Sequence, residues 1–266
     1  MKIIACIAVR MRSKRLPGKA LAELCGKPML LRLIERLRTA RLLDEILVCT
    51  STHPDDKIIM EKAREWGVKA MAGSEDDVLA RFIQAAEQEK ADVILRVTGD
   101  NPFTDPENID RMISHHLKTK AEYTRTKHLP LGATAEVMST SMLLRLRQLI
   151  PNPDQSEYLL FYAFDPEHFH CEVLTAPPEL NRPFYSLTVD TPADLELARG
   201  LYCKLGQGPD RPGLREVVAH LDNDPEYRPL SPNAPIKMPF GKIMRFSEYL
   251  SWSDEQEKKS RLKYQG

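Results

Sequence analysis

The chain is short of most features that would assign it a role at once. It carries no net charge, with 38 Lys and Arg against 38 Asp and Glu in 266 residues, so nothing global suggests a nucleic-acid or membrane surface. No apolar run approaches the roughly 20 residues of a membrane-spanning helix. The N-terminal apolar stretch reads as too short for a signal peptide, because it flows directly into basic residues. The five cysteines, Cys6, Cys25, Cys49, Cys171 and Cys203, form no C-x-x-C and pair with no His at zinc-site spacing. They read as reduced core residues of a cytoplasmic protein. The P-loop pattern fails twice, since Gly18-Lys19 is followed by Ala20 and Gly26-Lys27 by Pro28. Neither G-x-G-x-x-G nor G-x-S-x-G occurs, which removes the dinucleotide fingerprint and the hydrolase elbow. No repeat or low-complexity tract stands out. His115-His116, on a predicted helix and without further ligands in register, reads as a surface pair.

What is present begins at the N-terminus. Ile3-Ile4-Ala5-Cys6-Ile7-Ala8-Val9 reads as a buried strand. It empties into Arg10-Met11-Arg12-Ser13-Lys14-Arg15-Leu16-Pro17-Gly18-Lys19, a turn-forming loop with five cations. A cationic loop at the carboxyl end of the first strand of an open α/β sheet is placed to hold a polyphosphate.

Strand and helix then alternate over the first 120 residues. Predicted strands lie at 45–50, 67–71 and 91–97, and predicted helices start at Pro28, Asp55, Ser74 (an S-x-x-D capping box) and Asp105-Pro106. The pattern implies a three-layer α/β/α domain with a mostly parallel sheet. After 120 the order loosens. Strands are expected at 123–124, 136–138, 172–175 and 185–189, helices at about 140–149 and 155–164, and a capping box at Thr191-Pro192-Ala193-Asp194 opens one more helix. We divide the chain into a domain over 1–221, with a subregion at about 121–184, and an irregular C-terminal extension over 222–266 anchored by Phe240, Phe246, Tyr249, Leu250 and Trp252.

Asp100, in Thr98-Gly99-Asp100-Asn101-Pro102, and Asp190 both close predicted strands. Two carboxylates facing a cationic loop across one crevice can hold Mg²⁺ while the cations hold phosphates. That arrangement suits phosphoryl or nucleotidyl transfer. Each aspartate could instead serve as a turn or cap residue, Asp190 especially, since it precedes a capping box.

Taken in order, several stretches resemble the cytidylyltransferases of the SpsF (spore coat polysaccharide biosynthesis) type, related to CMP-KDO and CMP-sialic acid synthetases. They are Arg10 to Lys19, Gly26-Lys27-Pro28-Met29, Thr50-Ser51-Thr52, Gly73 to Arg81, Arg96 to Pro102, Gly132 with Glu136, and Thr188 to Leu195. The resemblance covers about residues 1–205. It implies a GT-A-like nucleotidyltransferase fold, CTP as donor, and Mg²⁺ held by Asp100 and Asp190. It implies a triphosphate clamp of Arg10, Ser13, Arg15 and Lys19, with Arg10, Lys19 and Asp100 catalytic, and Lys14 facing solvent. Ser74, Asp77, Arg81, Thr98 and Gly99 would line the base and ribose pocket. The implied reaction is attack by a small anionic acceptor, such as a sugar acid, on the α-phosphate, releasing pyrophosphate for glycan or cell-surface polysaccharide synthesis. A cytoplasmic homodimer is the expected assembly. Departures from the family pattern are Arg12, where a small residue is usual, Ala135 before Glu136, and Glu157-Tyr158-Leu159, where the family has a His. Two alternatives remain at this point: a GT-A glycosyltransferase, for which no D-x-D motif is supplied, and a catalytically idle nucleotide-binding homologue.

Overall fold

The computed structural model describes residues 1–13, 15–150, 152, 156, 158–206 and 212–264. Lys14, Glu157 and part of the helix expected over 155–164 lie outside the described residues.

Strand β1 (Ile3–Ala8) is buried along nearly its whole length, as expected of a central strand covered on both faces. Its side chains alternate between two cores: Ile3, Ala5 and Ile7 point into one, Ile4 and Cys6 into the other. A small hairpin, β2 (Glu23–Leu24) with β3 (Lys27–Pro28), leads into helix α1 (Met29–Leu37). Then follow β4 (Glu45–Ser51), α2 (Lys57–Glu65), β5 (Lys69–Gly73), α3 (Val78–Glu89), β6 (Val93–Thr98) and α4 (Pro106–Thr119). Next come β7 (Tyr123–Lys127), β8 (Glu136–Ser139), α5 (Thr140–Leu149), α6 (Leu159–Ala163), β9 (Cys171–Thr175), α7 (Pro192–Leu205) and α8 (Leu214–Asp222). The seven-stranded sheet runs β5-β4-β1-β6-β8-β7-β9. The first four strands are parallel, and β8 enters antiparallel between β6 and β7. Helices α1, α2 and α4 cover one face, and α3, α5 and α6 the other. The mostly parallel three-layer expectation therefore holds.

Four expectations change. Helix α3 starts at Val78 with Asp77 as its cap, whereas Ser74 Oγ accepts from the Asp77 amide at 3.1 Å and closes the turn before it. Residues 185–189 form no sheet strand. Ser186 makes one parallel bridge to Leu131, and the segment otherwise bonds to loops. His116 is buried, with Nδ1 2.9 Å from Thr124 Oγ1. Burial first, then the neighbouring His170 and His115, push its pKa down to about 4. Cys203 is exposed and Cys25 partly so, whereas Cys6, Cys49 and Cys171 are core residues as expected.

The C-terminal extension is regular rather than irregular. A hairpin, β10 (Pro235–Lys237) with β11 (Ile243–Arg245), feeds the 19-residue helix α9 (Phe246–Tyr264). Phe246, Ser253, Glu257 and Ser260 face inward, a stripe in which three of the four residues are polar. Hydropathy alone hides such a stripe. Ser260 Oγ donates to the Cys171 carbonyl, Lys127 pairs with Asp254 and Glu257, and Trp252 stacks among Phe161, Phe164 and Tyr249. Phe240, expected to anchor this segment, is 61% exposed. No helix among the described residues is long and apolar enough to cross a membrane.

Candidate active site

The basic loop is pinned by a residue that sequence reading missed. Asp56, 1% exposed, accepts the Met11 amide at 2.7 Å through Oδ1 and the Ser51 amide at 3.2 Å through Oδ2. The Met11 carbonyl then accepts from both the Ser13 and Gly18 amides, at 3.0 and 2.9 Å, so the loop folds back on itself. Ser13 Oγ accepts from the Leu16 amide at 3.4 Å. The one available signal for Asp56 was its place after β4, within Pro54-Asp55-Asp56, a cap-like run at a strand end.

From this frame the cations reach two walls. Lys19 Nζ donates to Asp100 Oδ2 at 2.8 Å, Asp190 Oδ1 at 2.9 Å and the Val189 carbonyl at 2.8 Å. Arg15 Nη2 lies 2.8 Å from the other Asp190 oxygen. Burial works against the Lys19 charge, but Asp100 and Asp190 outweigh it and hold the ammonium above the ordinary lysine range. Residues 19, 100 and 190 thus meet as one cluster.

The register of Asp190 comes from the backbone. The Val189 amide donates to the Asp100 carbonyl at 2.9 Å, and the Leu187 amide to the Leu131 carbonyl at 2.7 Å. Gly132 permits this approach: its φ is +87°, and a Cβ there would sit 2.6 Å from the Thr188 nitrogen. Asp190 is not itself the cap of α7. That role belongs to Thr191, in a reciprocal capping box with Asp194, so the Asp190 carboxylate is free to face Lys19 and Arg15.

The second wall is the turn before α3. Arg10 Nη1 donates to the Glu75 carbonyl at 3.3 Å, and Arg81 Nη1 to the Ser74 carbonyl at 3.1 Å. Arg81 is 1% exposed, and among the described residues its Nε has no partner. Burial, then the Arg10 charge, hold Arg81 below its ordinary range. Arg12 stays at the rim, 60% exposed, within 3.6 Å of Glu75 Oε1 and 3.1 Å of His53 Nε2. It does not point toward Lys19's carboxylates.

Three residues expected to line the base and ribose pocket also have structural engagements. Asp77 accepts from the Ala80 amide at 2.9 Å through Oδ1, and its Oδ2 pairs with Arg147. Gly99 lets the β1 and β6 ends close up, since a Cβ there would fall 2.7 Å from Val9 Cβ. Thr98 Oγ1 accepts from Asn101 Nδ2 at 2.7 Å and shapes the Asp100 turn.

A cavity of about 180 Å³ is lined by Thr98 and Asn101, which flank Asp100 in the chain, and by Arg96, Arg125, Lys127 and Glu136. Arg125 and Lys127 were not singled out from the sequence. Their alternation on β7 placed them on one face, but nothing local said that the face would be buried.

A mostly parallel sheet that brings a cationic loop and two aspartates together suits a nucleotidyltransferase of the GT-A-like class. A family profile described as cytidylyltransferase matches residues 4–207. The spore coat polysaccharide biosynthesis protein SpsF of Bacillus subtilis (strain 168) is 35% identical over 230 residues, covering 84% of this chain and 95% of that one. The 3-deoxy-manno-octulosonate cytidylyltransferase of Geobacter metallireducens is 39% identical over 151 residues, 56% of this chain and 52% of that one. A solved cytidylyltransferase structure from Leptospira borgpetersenii superposes with a TM-score of 0.78 at 25% identity, covering 86% of this chain and 100% of that one. The chain belongs to the cytidylyltransferase family, of the SpsF type, and is a nucleotidyltransferase.

Proposed function

We propose that the chain transfers CMP from CTP to a small anionic acceptor, a sugar acid or a compound of similar charge, releasing pyrophosphate in polysaccharide synthesis. The observation that carries this reading is the convergence of Asp100 and Asp190 on Lys19 Nζ, at 2.8 and 2.9 Å, beneath a loop rich in cations. Arg10, Arg15 and Lys19 would bind the triphosphate, with loop amides near Ser13 assisting. Arg81, buried and with its Nε unpartnered among the described residues, would steady the loop's second wall as the anion arrives.

The two carboxylates suit Mg²⁺, a hard cation that takes one or two carboxylate oxygens and fills its shell with water and phosphate. Among the described residues no group of three or more His, Cys, Asp and Glu converges, so the chain's own donors would be these two. When bound, the metal would supply charge neutralisation at the phosphates. In the transfer itself, an acceptor oxygen forms a bond to the α-phosphorus as the bond to the pyrophosphate oxygen breaks. Lys19 and Arg15 are placed to offset the charge that builds on the departing group.

Calorimetric titration of CTP against ATP, GTP and UTP tests the donor. Equal affinity for all four would sink the reading. Pyrophosphate release with CTP across sugar acids, sugar phosphates and phosphonates tests the acceptor and separates a transferase from an idle binder. Asp100→Asn is expected to abolish release while the fold persists.

A further inference from the structure

The cavity beside Asp100 has an unbalanced floor. Arg96 on β6, Glu136 on β8 and Arg125 on β7 are paired in register and form a row across three strands. One carboxylate serves this row, and both its oxygens are engaged: Oε2 by Arg96 Nη1, and Oε1 by the Tyr123 hydroxyl at 2.5 Å. Arg125 is 8% exposed, yet among the described residues no carboxylate lies within ion-pair distance of it. Its Nη2 donates to the Tyr249 hydroxyl at 2.7 Å, its carbon centre lies 5.2 Å from the Phe164 ring, and among the described residues its Nη1 has no partner. Arg96 Nε is likewise without one. A guanidinium stays charged at any physiological pH. A buried charge is normally paired, because leaving it unpaired forfeits its hydration without return. Arg125 thus faces Glu136 only across the strand pair, and with no ion pair of its own among the described residues it stands on the wall of a cavity that reaches the residues flanking Asp100.

Tyr249, Leu250, Ser253 and Asp254 of α9 close this cavity, and α9 lies beyond the family match, which ends at residue 207.

We propose that this cavity is the acceptor's anion subsite. Arg125, with Arg96 beside it, receives a carboxylate or phosphoryl group of the acceptor, and α9 sets which acceptors fit by carrying Tyr249 and Leu250 over it. This rests on the transferase reading above and deepens it. Tyr249 holds Arg125 by one nitrogen and leaves the other for the ligand, and the Phe164 and Tyr249 rings packed against the guanidinium keep water from screening its charge.

The test uses the full chain in two arms. In the first, thermal melts are recorded with acetate, methylphosphonate or inorganic phosphate against chloride at equal ionic strength. The wild type is expected to gain stability with a carboxylate or a phosphoryl anion, and the better one names the group. Arg125→Gln should lose that gain, read against its own melting point in chloride. Leu250→Trp, which fills the cavity from α9, should also lose the gain. An unchanged anion response in Arg125→Gln overturns the proposal. So does a retained response in Leu250→Trp should Arg125→Gln fail to fold.

In the second arm, KM for whichever acceptor supports pyrophosphate release is expected to rise roughly 10- to 100-fold in Arg125→Gln, with CTP affinity unchanged. An unchanged KM is a refutation. If the wild type binds no CTP, the transferase reading fails, and the first arm still judges the cavity by itself.

Discussion

Replacing Lys19 by Met keeps the stem of the side chain and removes its charge. The ammonium is 11% exposed and donates three bonds, two of them to carboxylates 26% and 27% exposed. A hydrogen bond to a charged group contributes about 1.5–3 kcal/mol when well buried, and partial exposure reduces each of these. Without the ammonium, the two aspartates also repel one another. The net loss is about 2–4 kcal/mol, or roughly 4–8 °C in melting temperature for a chain of this length. The direction of the pH effect follows from the raised lysine pKa: the contribution is whole at neutral pH and is lost only as pH climbs beyond 10.5 and through the higher folded value. Urea denaturation at pH 7.5 without divalent cations measures the loss. A double-mutant cycle with Asp190→Asn isolates the pair, with an expected coupling of about 1–2 kcal/mol. Millimolar Mg²⁺ should stabilise Lys19→Met more than wild type, since the acidic pair has lost its cation. A variant within about 0.5 kcal/mol of wild type, or a strictly additive cycle, would refute the view that Lys19 is what holds residues 100 and 190 together.

Gly132→Ala places a Cβ 2.6 Å from the Thr188 nitrogen at a φ of +87°. It is expected to cost about 2–3 kcal/mol and to lower activity by displacing Asp190, read from denaturation and turnover together. Asp77→Ala removes the α3 cap and the Arg147 pair. It should lower stability by about 1–3 kcal/mol while calorimetry finds CTP affinity little changed. His116, buried neutral with its pKa pushed down to about 4, lets the unfolded chain take up a proton first. Stability should therefore fall as pH drops from about 6.5 to 4, by about 3 kcal/mol from this group. His116→Gln should flatten that slope in denaturation series across the same range.

The order of the parallel half was readable because its signals are local. A buried strand announces itself by a continuous apolar run, as in Ile3 to Val9, and helix starts by capping chemistry, as at Asp105 and Thr191. The cationic loop was visible for the same reason, being ten consecutive residues. The role of α9 was not: its inward stripe is filled by Ser253, Glu257 and Ser260, and Glu257 and Ser260 are held by bonds to Lys127 of β7 and Cys171 of β9 rather than by apolar character. The start of α3 was misplaced by three residues because Ser74 and Asp77 are both competent caps. Only packing chose between them.

The sequence by itself determined the alternation of strands and helices, the cationic loop at the end of β1, and two candidate carboxylates. Only the tertiary structure decided that Asp190 stands beside Asp100. The link is a backbone bond from Val189 to Asp100 and a glycine at 132 that admits residues 187 and 188, contacts between segments some 50 to 90 residues apart, of which no periodicity carries a trace. The same holds for the acceptor side. Arg96, Glu136 and Arg125 become neighbours only when β8 inserts antiparallel between β6 and β7, and the missing countercharge appears only once burial removes the water that would have supplied it.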